Sequence, residues 1–136
     1  MAEVFRREKR VRFHHCDPAG IVFYPQYFVL FHELMEDWFT EGLGENYAAF
    51  VRGGHGMPAV KVECEFLAPN PVGDVIAFEL SIVRLGKSSV KLRIVGKSRG
   101  AECVRATLVN VHSSLHPLKS VEIPPRLRAA MQRFSA

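Results

Sequence analysis

The most constraining feature of this chain is an aromatic stripe on one predicted helix. From residue 24 onward, apolar side chains recur at steps of three and four residues: Tyr24, Tyr27, Phe28, Phe31, Leu34, Met35 and Trp38. Acidic and amide side chains occupy the other side, so the pattern predicts a helix of about 18 residues with one apolar face. Pro25 suits the first helical position, and Gly42 and Gly44 are stop signals. Such a face needs a broad apolar partner, and a β-sheet is the natural one.

The rest of the chain predicts that sheet. Val60, Val62, Cys64 and Phe66 alternate with charged residues, as in a half-buried strand. Further strands are predicted at 75–84, 88–95 and 102–112, with a weaker first strand within 4–13 and a short final helix from Pro124 to about Phe134. The short Gly-containing connections favour antiparallel hairpins. This order predicts an α+β fold in which a long central helix packs against a five- to six-stranded antiparallel sheet. Because such a sheet leaves edges to cover, we expect a homo-oligomer.

Length and composition are those of one ordinary globular domain, residues 1–136. Hydrophobic residues make up 48% and charged residues 24% of the chain. No apolar run reaches the roughly 18 residues that a membrane-spanning helix needs, and the N-terminus lacks the apolar core of a secretory signal. The three cysteines are widely spaced and odd in number, which favours a reducing compartment over a disulfide framework. We therefore expect a cytoplasmic protein without a membrane span.

Five basic residues lie within 6–12, and the formal net charge is +4. A nucleic-acid interface is one interpretation of this run, but it lacks interleaved stacking aromatics and any known docking motif. A solvated strand and a surface that attracts an anionic ligand are the alternatives. We expect no nucleic-acid partner.

The segment from Asp17 to Tyr27, DPAGIVFYPQY, goes beyond fold class. It resembles the active-site signature of the 4-hydroxybenzoyl-CoA thioesterase family, a branch of the hot-dog superfamily. The match departs from the family at Gln26, where Asn is common. Cys16 and the segment 56–60 are also similar to the family, and the order of elements agrees over nearly the whole chain. The resemblance implies a hot-dog fold, acyl-CoA as substrate, and no cofactor, since coenzyme A is part of the substrate.

The chemistry of a thioesterase fits the residues of this segment. A thioester carbonyl needs a nucleophile or an activated water, and a donor for the developing oxyanion. Asp17 supplies a carboxylate, and Gly20 lets the loop backbone approach a ligand. The helix begins near Tyr24, whose N–H can polarise the carbonyl together with the helix dipole. The resemblance implies that Asp17 either attacks the thioester or activates water, and the sequence leaves both open. Without the motif, Asp17 would be read as a turn former before Pro18.

Other site residues rest on weaker signals. His32 stands where the family has an acidic residue near the substrate hydroxyl, so it is a candidate contact of the acyl group, and a solvent-facing histidine is the alternative. Met57 is a candidate for the pocket wall or for the core. The resemblance places basic residues and a serine of the turn 84–88 against the nucleotide of coenzyme A, and Lys87 and Ser88 match. A solvated hairpin turn is the alternative for this pair.

Two other functional hypotheses stand beside hydrolysis of a small aromatic or short-chain acyl-CoA. One is action on acyl groups bound to acyl carrier protein, and the other is binding of acyl-CoA without turnover. A metal site formed by His14, His15, Cys16 and Asp17 is not expected, because four adjacent residues cannot all converge on one ion. A role of His14 or His15 in tuning Asp17 or its water is the alternative hypothesis for these histidines. A homodimer with sites near the interface is the minimal assembly expected, and the resemblance implies a homotetramer.

Overall fold

The computed structural model describes residues 2–135. In chain order the elements are β1 (Phe5–Arg10), α1 (Tyr24–Asp37), α2 (Tyr47–Arg52), β2 (His55–Gly56), β3 (Ala59–Phe66), β4 (Val75–Leu85), β5 (Ser89–Ser98), β6 (Ala101–Val111), β7 (Ser113–Leu115), β8 (Leu118–Ser120) and α3 (Pro125–Gln132). A single 3-10 turn, Phe13–His15, precedes the loop that carries Asp17. None of the helices formed by these residues is long and apolar enough to cross a membrane.

The aromatic stripe forms the predicted long helix. After α1 the chain continues without a break into a π-helical segment, Trp38–Gly42, so the helical stretch ends at the predicted stop signal. The stripe packs inward through Tyr27, Leu30, Phe31, Leu34, Met35 and Trp38. Its first turns are less covered than the rest, because Tyr24 is 59% and Phe28 40% exposed. The N-terminal end of the stripe therefore lies at the surface, and Pro25 is the second helical residue rather than the first.

The main sheet has five strands in the order β1-β4-β5-β6-β3, and every neighbouring pair is antiparallel. This confirms the α+β class and the predicted helix-on-sheet packing. The helix rests on the central strands, where Phe31 meets the ring of Phe78 edge-on with centroids 6.1 Å apart. The buried face of the sheet includes Ile76, Phe78, Leu80, Leu92 and Ile94. Burying these side chains against α1 is the main source of apolar stabilisation.

The sequence analysis missed α2 and a small second sheet of order β2-β7-β8. The Asn46 side chain caps α2 by accepting the Ala49 N–H at 2.9 Å. These short elements close one end of the space between α1 and the main sheet, and β2 carries His55 to that end.

The main sheet has two ends that matter for the site. At the Asp17 end lie Phe66 of β3, Val75 of β4 and the turn between β5 and β6. At the His112 end lie Ala59 of β3, the turn between β4 and β5, and the end of β6 at Val111.

The two outer strands differ in polarity. β1 has the sequence FRREKR, and charged side chains of this kind discourage pairing with another chain. β3 pairs with β6 on one side, and all but one of its residues are exposed. Val60 is 64% and Phe66 47% exposed, although both are apolar. One outer strand, β1, is therefore almost wholly charged, whereas the other, β3, exposes an apolar face as well as a charged one.

Candidate active site

Asp17 lies in a tight turn between the 3-10 turn and α1. Cys16 and Val22 form an isolated antiparallel bridge, and the chain reverses between them. The Asp17 N–H donates to the Ile21 carbonyl at 3.1 Å, and the Gly20 N–H donates to the Asp17 carbonyl at 2.9 Å. Gly20 has a φ of 76°, a left-handed conformation that residues with a Cβ adopt at a cost. This reversal brings Asp17 opposite Ile21, three residues before the start of α1.

The Asp17 carboxylate is half-buried and only partly used. Its Oδ1 accepts the Ala19 N–H at 2.9 Å, so Asp17 does form the turn that its position before Pro18 suggests. Within residues 2–135, Oδ2 accepts no hydrogen bond. One oxygen therefore fixes the carboxylate, and the other is available to a substrate or a water.

The first turn of α1 offers one free backbone donor beside this loop. Pro25 has no N–H, and the Gln26 N–H donates to the Phe23 carbonyl at 2.8 Å. The Tyr24 N–H has no backbone acceptor among the described residues, and no side chain caps the helix. The positive end of the helix dipole coincides with this donor. A carbonyl oxygen that reached the Tyr24 N–H would be polarised by both.

A buried network behind the loop holds it to the main sheet. The Val22 N–H donates to the Asn70 carbonyl at 3.0 Å, and the Val72 N–H donates to the Gly20 carbonyl at 2.9 Å. The side chain of Asn70, which is fully buried, accepts the Tyr27 hydroxyl at 2.5 Å and donates to Asp74 Oδ2 at 3.0 Å. Asn70 thus connects the Asp17 loop, α1 and the start of β4.

The network also affects the pKa values of Tyr27 and Asp74. Burial raises the pKa of Tyr27 far above its ordinary value, so the hydroxyl stays a donor. Burial also acts to raise the pKa of Asp74, but donors from Asn70 and Ser98 and the charge of Arg99 outweigh it and leave that pKa below its ordinary value. Asp74 is therefore an ionised acceptor that anchors the network.

His15 supports the loop through its backbone rather than through its ring. The Phe23 N–H donates to the His15 carbonyl at 2.9 Å, while the buried imidazole accepts the Arg12 N–H at Nδ1 at 2.8 Å. Burial lowers the pKa of His15, with a smaller contribution from the neighbouring His14. Among the described residues neither ring hydrogen-bonds to Asp17, so a direct influence of His14 or His15 on the carboxylate stays a hypothesis.

A cavity of about 450 Å³ lies between α1, α2 and the main sheet. Most of its wall is apolar, including Phe28, Phe31, Met35, Leu92, Ile94 and Leu108. His32 and Met57, two of the predicted substrate contacts, both border it. His32 is an exposed residue whose Nε2 lies 2.7 Å from Glu36. Asp17, Gly20 and Tyr24 do not line this cavity in the single chain.

Lys87 and Ser88 lie at the His112 end of the sheet, away from Asp17. The Ser88 carbonyl accepts the His112 N–H at 2.7 Å, and the Lys87 carbonyl accepts Arg128 Nη2 at 2.8 Å. β4 has 11 residues, which span about 35 Å, and it separates this turn from the Asp17 end. A single chain therefore does not bring the predicted coenzyme A contacts together with the carboxylate.

A family model described as the thioesterase-like superfamily matches residues 11–131. This chain belongs to the thioesterase-like superfamily. The structure is similar to that of the BH1999 gentisyl-coenzyme A thioesterase, with a TM-score of 0.84 and 28% identity over 95% of this chain and 99% of that one. It is also similar to Slr0204, a 1,4-dihydroxy-2-naphthoyl-CoA thioesterase from Synechocystis, with a TM-score of 0.86 and 22% identity over 96% of each chain. Among sequences, a 1,4-dihydroxy-2-naphthoyl-CoA hydrolase from Acaryochloris marina (strain MBIC 11017) is 24% identical over 132 residues, covering 93% of this chain and 95% of that protein.

Membership of the superfamily confirms two predictions from the sequence. The fold is the hot-dog thioesterase fold, and the protein is a thioester hydrolase by class. The three relatives described above are named for gentisyl-CoA or 1,4-dihydroxy-2-naphthoyl-CoA, so the narrower assignment to the 4-hydroxybenzoyl-CoA branch stays a prediction.

Four polar residues of this thioesterase-like chain were not predicted from its sequence: three at the cavity and one behind the Asp17 loop. His55 and Asn110 border the cavity, and His112 is buried directly behind His55. Asn70 organises the network behind the Asp17 loop. The position of Asn70 between two prolines, next to the turn at Gly73-Asp74, was the one local signal available. His55 and His112 are 57 residues apart, so no spacing rule relates them.

Proposed function

We propose that this protein hydrolyses aromatic acyl-CoA thioesters, with Asp17 as the reacting carboxylate and the Tyr24 N–H as the oxyanion donor. The observation that carries the proposal is that one short loop-to-helix segment holds both groups with unused hydrogen-bonding capacity. Asp17 lies in the loop that leads into α1, and one of its carboxylate oxygens is free, while the Tyr24 N–H at the start of α1 has no acceptor among the described residues. A carboxylate and a helix-terminal N–H are the two groups that a thioester carbonyl needs.

Two routes are open to the free carboxylate oxygen. It can attack the thioester carbon, which expels the coenzyme A thiolate and leaves a mixed anhydride for water to cleave. It can instead accept a proton from a water that attacks the same carbon. In both routes negative charge develops on the carbonyl oxygen, and the Tyr24 N–H with the helix dipole stabilises it.

We further propose that the working unit is a homodimer joined through β3. This strand exposes one apolar face and has only one sheet neighbour, whereas the opposite outer strand, β1, is charged at all but one position. If β3 pairs antiparallel with a second copy over its whole length, Ala59 lies opposite Phe66 of the partner subunit. Paired strands are about 4.8 Å apart. Phe66 packs against Tyr24, with ring centroids 6.1 Å apart, so the pairing brings the start of α1 beside the partner's cavity.

This pairing also accounts for the scattered site residues. The Asp17 end of one subunit then adjoins the His112 end of the other, which carries Met57, Lys87 and Ser88. The bound acyl group would extend from the Asp17 carboxylate into the partner's cavity, past His32 and Met57. Coenzyme A would extend toward the partner's turn at Lys87 and Ser88. One interface thus unites contacts that the single chain keeps apart.

An aromatic acyl group fits the chemistry of the cavity. Its wall is built from aromatic and branched apolar side chains, and about 450 Å³ is within the range of small-molecule sites. The gentisyl-CoA and dihydroxynaphthoyl-CoA relatives support the same class of acyl group. The branch with 4-hydroxybenzoyl-CoA as substrate is one member of this class.

The test is release of free coenzyme A thiol from a panel of thioesters. The panel contains benzoyl-, hydroxybenzoyl-, dihydroxybenzoyl-, naphthoyl-, phenylacetyl- and short aliphatic CoA esters, with a thiol reagent as readout. We expect turnover of aryl esters to exceed that of aliphatic esters. The same acyl groups on acyl carrier protein test the alternative carrier. Binding without thiol release from any thioester would identify a non-catalytic binding module instead.

A further inference from the structure

The cavity holds a histidine pair with defined roles for its nitrogen atoms. His55 Nδ1 lies 3.2 Å from His112 Nε2, and the two rings are stacked with centroids 5.3 Å apart. His112 Nδ1 lies 2.9 Å from the Val121 carbonyl oxygen. His112 is 1% exposed, whereas His55 borders the cavity. Phe50 packs against both rings and holds the pair in place.

The hydrogen-bond partners assign the tautomers. A carbonyl oxygen can only accept, so His112 Nδ1 carries a hydrogen and donates to Val121. In the neutral pair, His112 Nε2 is then an acceptor, and His55 Nδ1 must donate to it. This leaves His55 Nε2 without a hydrogen, as an acceptor.

His55 Nε2 has no hydrogen-bond partner among residues 2–135. It is also absent from the fully buried polar atoms without a partner, so it remains accessible. Two other polar side chains of the wall, His32 and Asn110, already have partners. His32 faces Glu36 at 2.7 Å, and Asn110 Nδ2 donates to the Met57 carbonyl at 2.8 Å. Asn110 Oδ1 is a second acceptor without a partner, but it is buried.

We propose that His55, oriented by His112, accepts a hydrogen bond from a hydroxyl group on the ring of the acyl substrate. This inference rests on the proposed function and adds to it the residue pair that selects a donor-bearing acyl group. In a largely apolar cavity, an accessible acceptor favours a ligand with a hydroxyl over one without it, because entry of a bare ring would leave the acceptor without water. His55 is the binding residue, and His112 is a positioning residue that fixes its tautomer.

The first experiment compares hydroxybenzoyl-CoA isomers with the matching methoxybenzoyl-CoA and with benzoyl-CoA. A methoxy group keeps the oxygen but cannot donate. We expect kcat/KM of the best hydroxy isomer to exceed that of its methoxy partner by about 10-fold in the native protein. His55→Phe keeps the ring that stacks on Phe50 and removes both nitrogens. This variant should lose the preference for the hydroxy ester over the methoxy ester. A merely structural change would lower both rates and leave the ratio intact.

The role of His112 is tested with two variants. His112→Gln can still donate to Val121 and accept from His55, so it should retain most of the hydroxyl preference. His112→Phe offers neither group and should lose it. Side-chain ¹⁵N spectra of the native protein should show hydrogen on Nδ1 of both histidines, with a bare Nε2 on His55. Hydrogen on His55 Nε2 in the ligand-free protein at neutral pH would overturn the assignment.

Binding of inert analogues separates failure of this inference from failure of the proposed function. Hydroxyphenacyl-CoA and phenacyl-CoA are thioethers that cannot be hydrolysed. If the hydroxy form binds about 10-fold tighter and His55→Phe removes the difference, the inference holds even when no thioester is turned over. If aryl thioesters are hydrolysed but neither rates nor binding respond to the hydroxyl, the inference is wrong and the proposed function stands.

Discussion

Replacing Asn70 with alanine tests the network that holds the Asp17 loop. The Asn70 side chain accepts from the neutral Tyr27 hydroxyl and donates to the ionised Asp74 carboxylate. Losing a neutral buried hydrogen bond costs about 1 kcal/mol, and losing one to a charged group about 2 kcal/mol. We therefore expect Asn70→Ala to lower the free energy of unfolding by about 3 kcal/mol. That is a large part of the roughly 5–15 kcal/mol that stabilises a typical domain.

The assay is urea unfolding at pH 7, followed by circular dichroism, for a small set of variants. Tyr27→Phe should cost about 1–2 kcal/mol, because it leaves Asn70 Oδ1 without its donor. The double variant should be no less stable than Asn70→Ala, since the Tyr27 hydroxyl has already lost its acceptor there. Asn46→Ala is the matched control outside the network and should cost about 1 kcal/mol through loss of the α2 cap.

Two results would refute this reasoning. A loss below about 1 kcal/mol for Asn70→Ala would mean that the hydrogen bonds contribute little net stability. Additive losses in the double variant would mean that Asn70 and Tyr27 act independently.

Thioesterase activity, measured under conditions where the native protein and the variant are both folded, should fall in Asn70→Ala because the Val22 and Gly20 backbone contacts lose their support.

Three further predictions concern the loop, pH and assembly. Gly20→Ala should cost about 1–2 kcal/mol in urea unfolding, from its φ of 76° rather than from a clash, and Gly20→Asn should cost less; equal losses would contradict this. Burial lowers the pKa of His15, so the unfolded state binds the proton more readily, and the free energy of unfolding should decline as the pH falls below about 6.5. In His15→Asn the urea midpoint should lack this part of the decline. A pH profile of the urea midpoint that is the same in the variant as in the native protein would argue against this role of His15. Val60→Lys should convert the dimer to monomer in sedimentation analysis, whereas Leu118→Lys, an equally exposed apolar site outside β3, should not; a dimer that survives Val60→Lys would exclude the β3 interface.

The sequence predicted those parts of the fold that have a local cause. The helix from Tyr24 and the four strands after residue 59 follow from periodicity, which nearby residues determine. α2 has six residues and the strands of the small sheet have two or three, which is too short for a period to be visible. Tyr24 and Phe28 belong to the stripe but are exposed in the single chain, because periodicity assigns a face but not whether something covers it.

The candidate site likewise has a part that local sequence predicts and a part that depends on tertiary structure. Asp17, Gly20 and Tyr24 lie within one segment, so the motif and the helix start could be recognised together. The contacts behind them depend on tertiary structure. Tyr27 and Asn70 are 43 residues apart, and the His55–His112 pair spans 57. The distance of Lys87 from Asp17 follows from the length and register of β4, which the sequence of a turn does not contain.

Thiol release by Asp17 variants tests the central claim most directly. With the best aryl thioester of the panel, we expect Asp17→Ala and Asp17→Asn to lower kcat by at least about 100-fold while the urea midpoint changes little. Asp17→Asn keeps an oxygen that can accept the Ala19 N–H. This variant therefore distinguishes the loss of the negative charge from the loss of the turn. Native-like turnover in both variants would contradict the assignment of Asp17 as the reacting carboxylate.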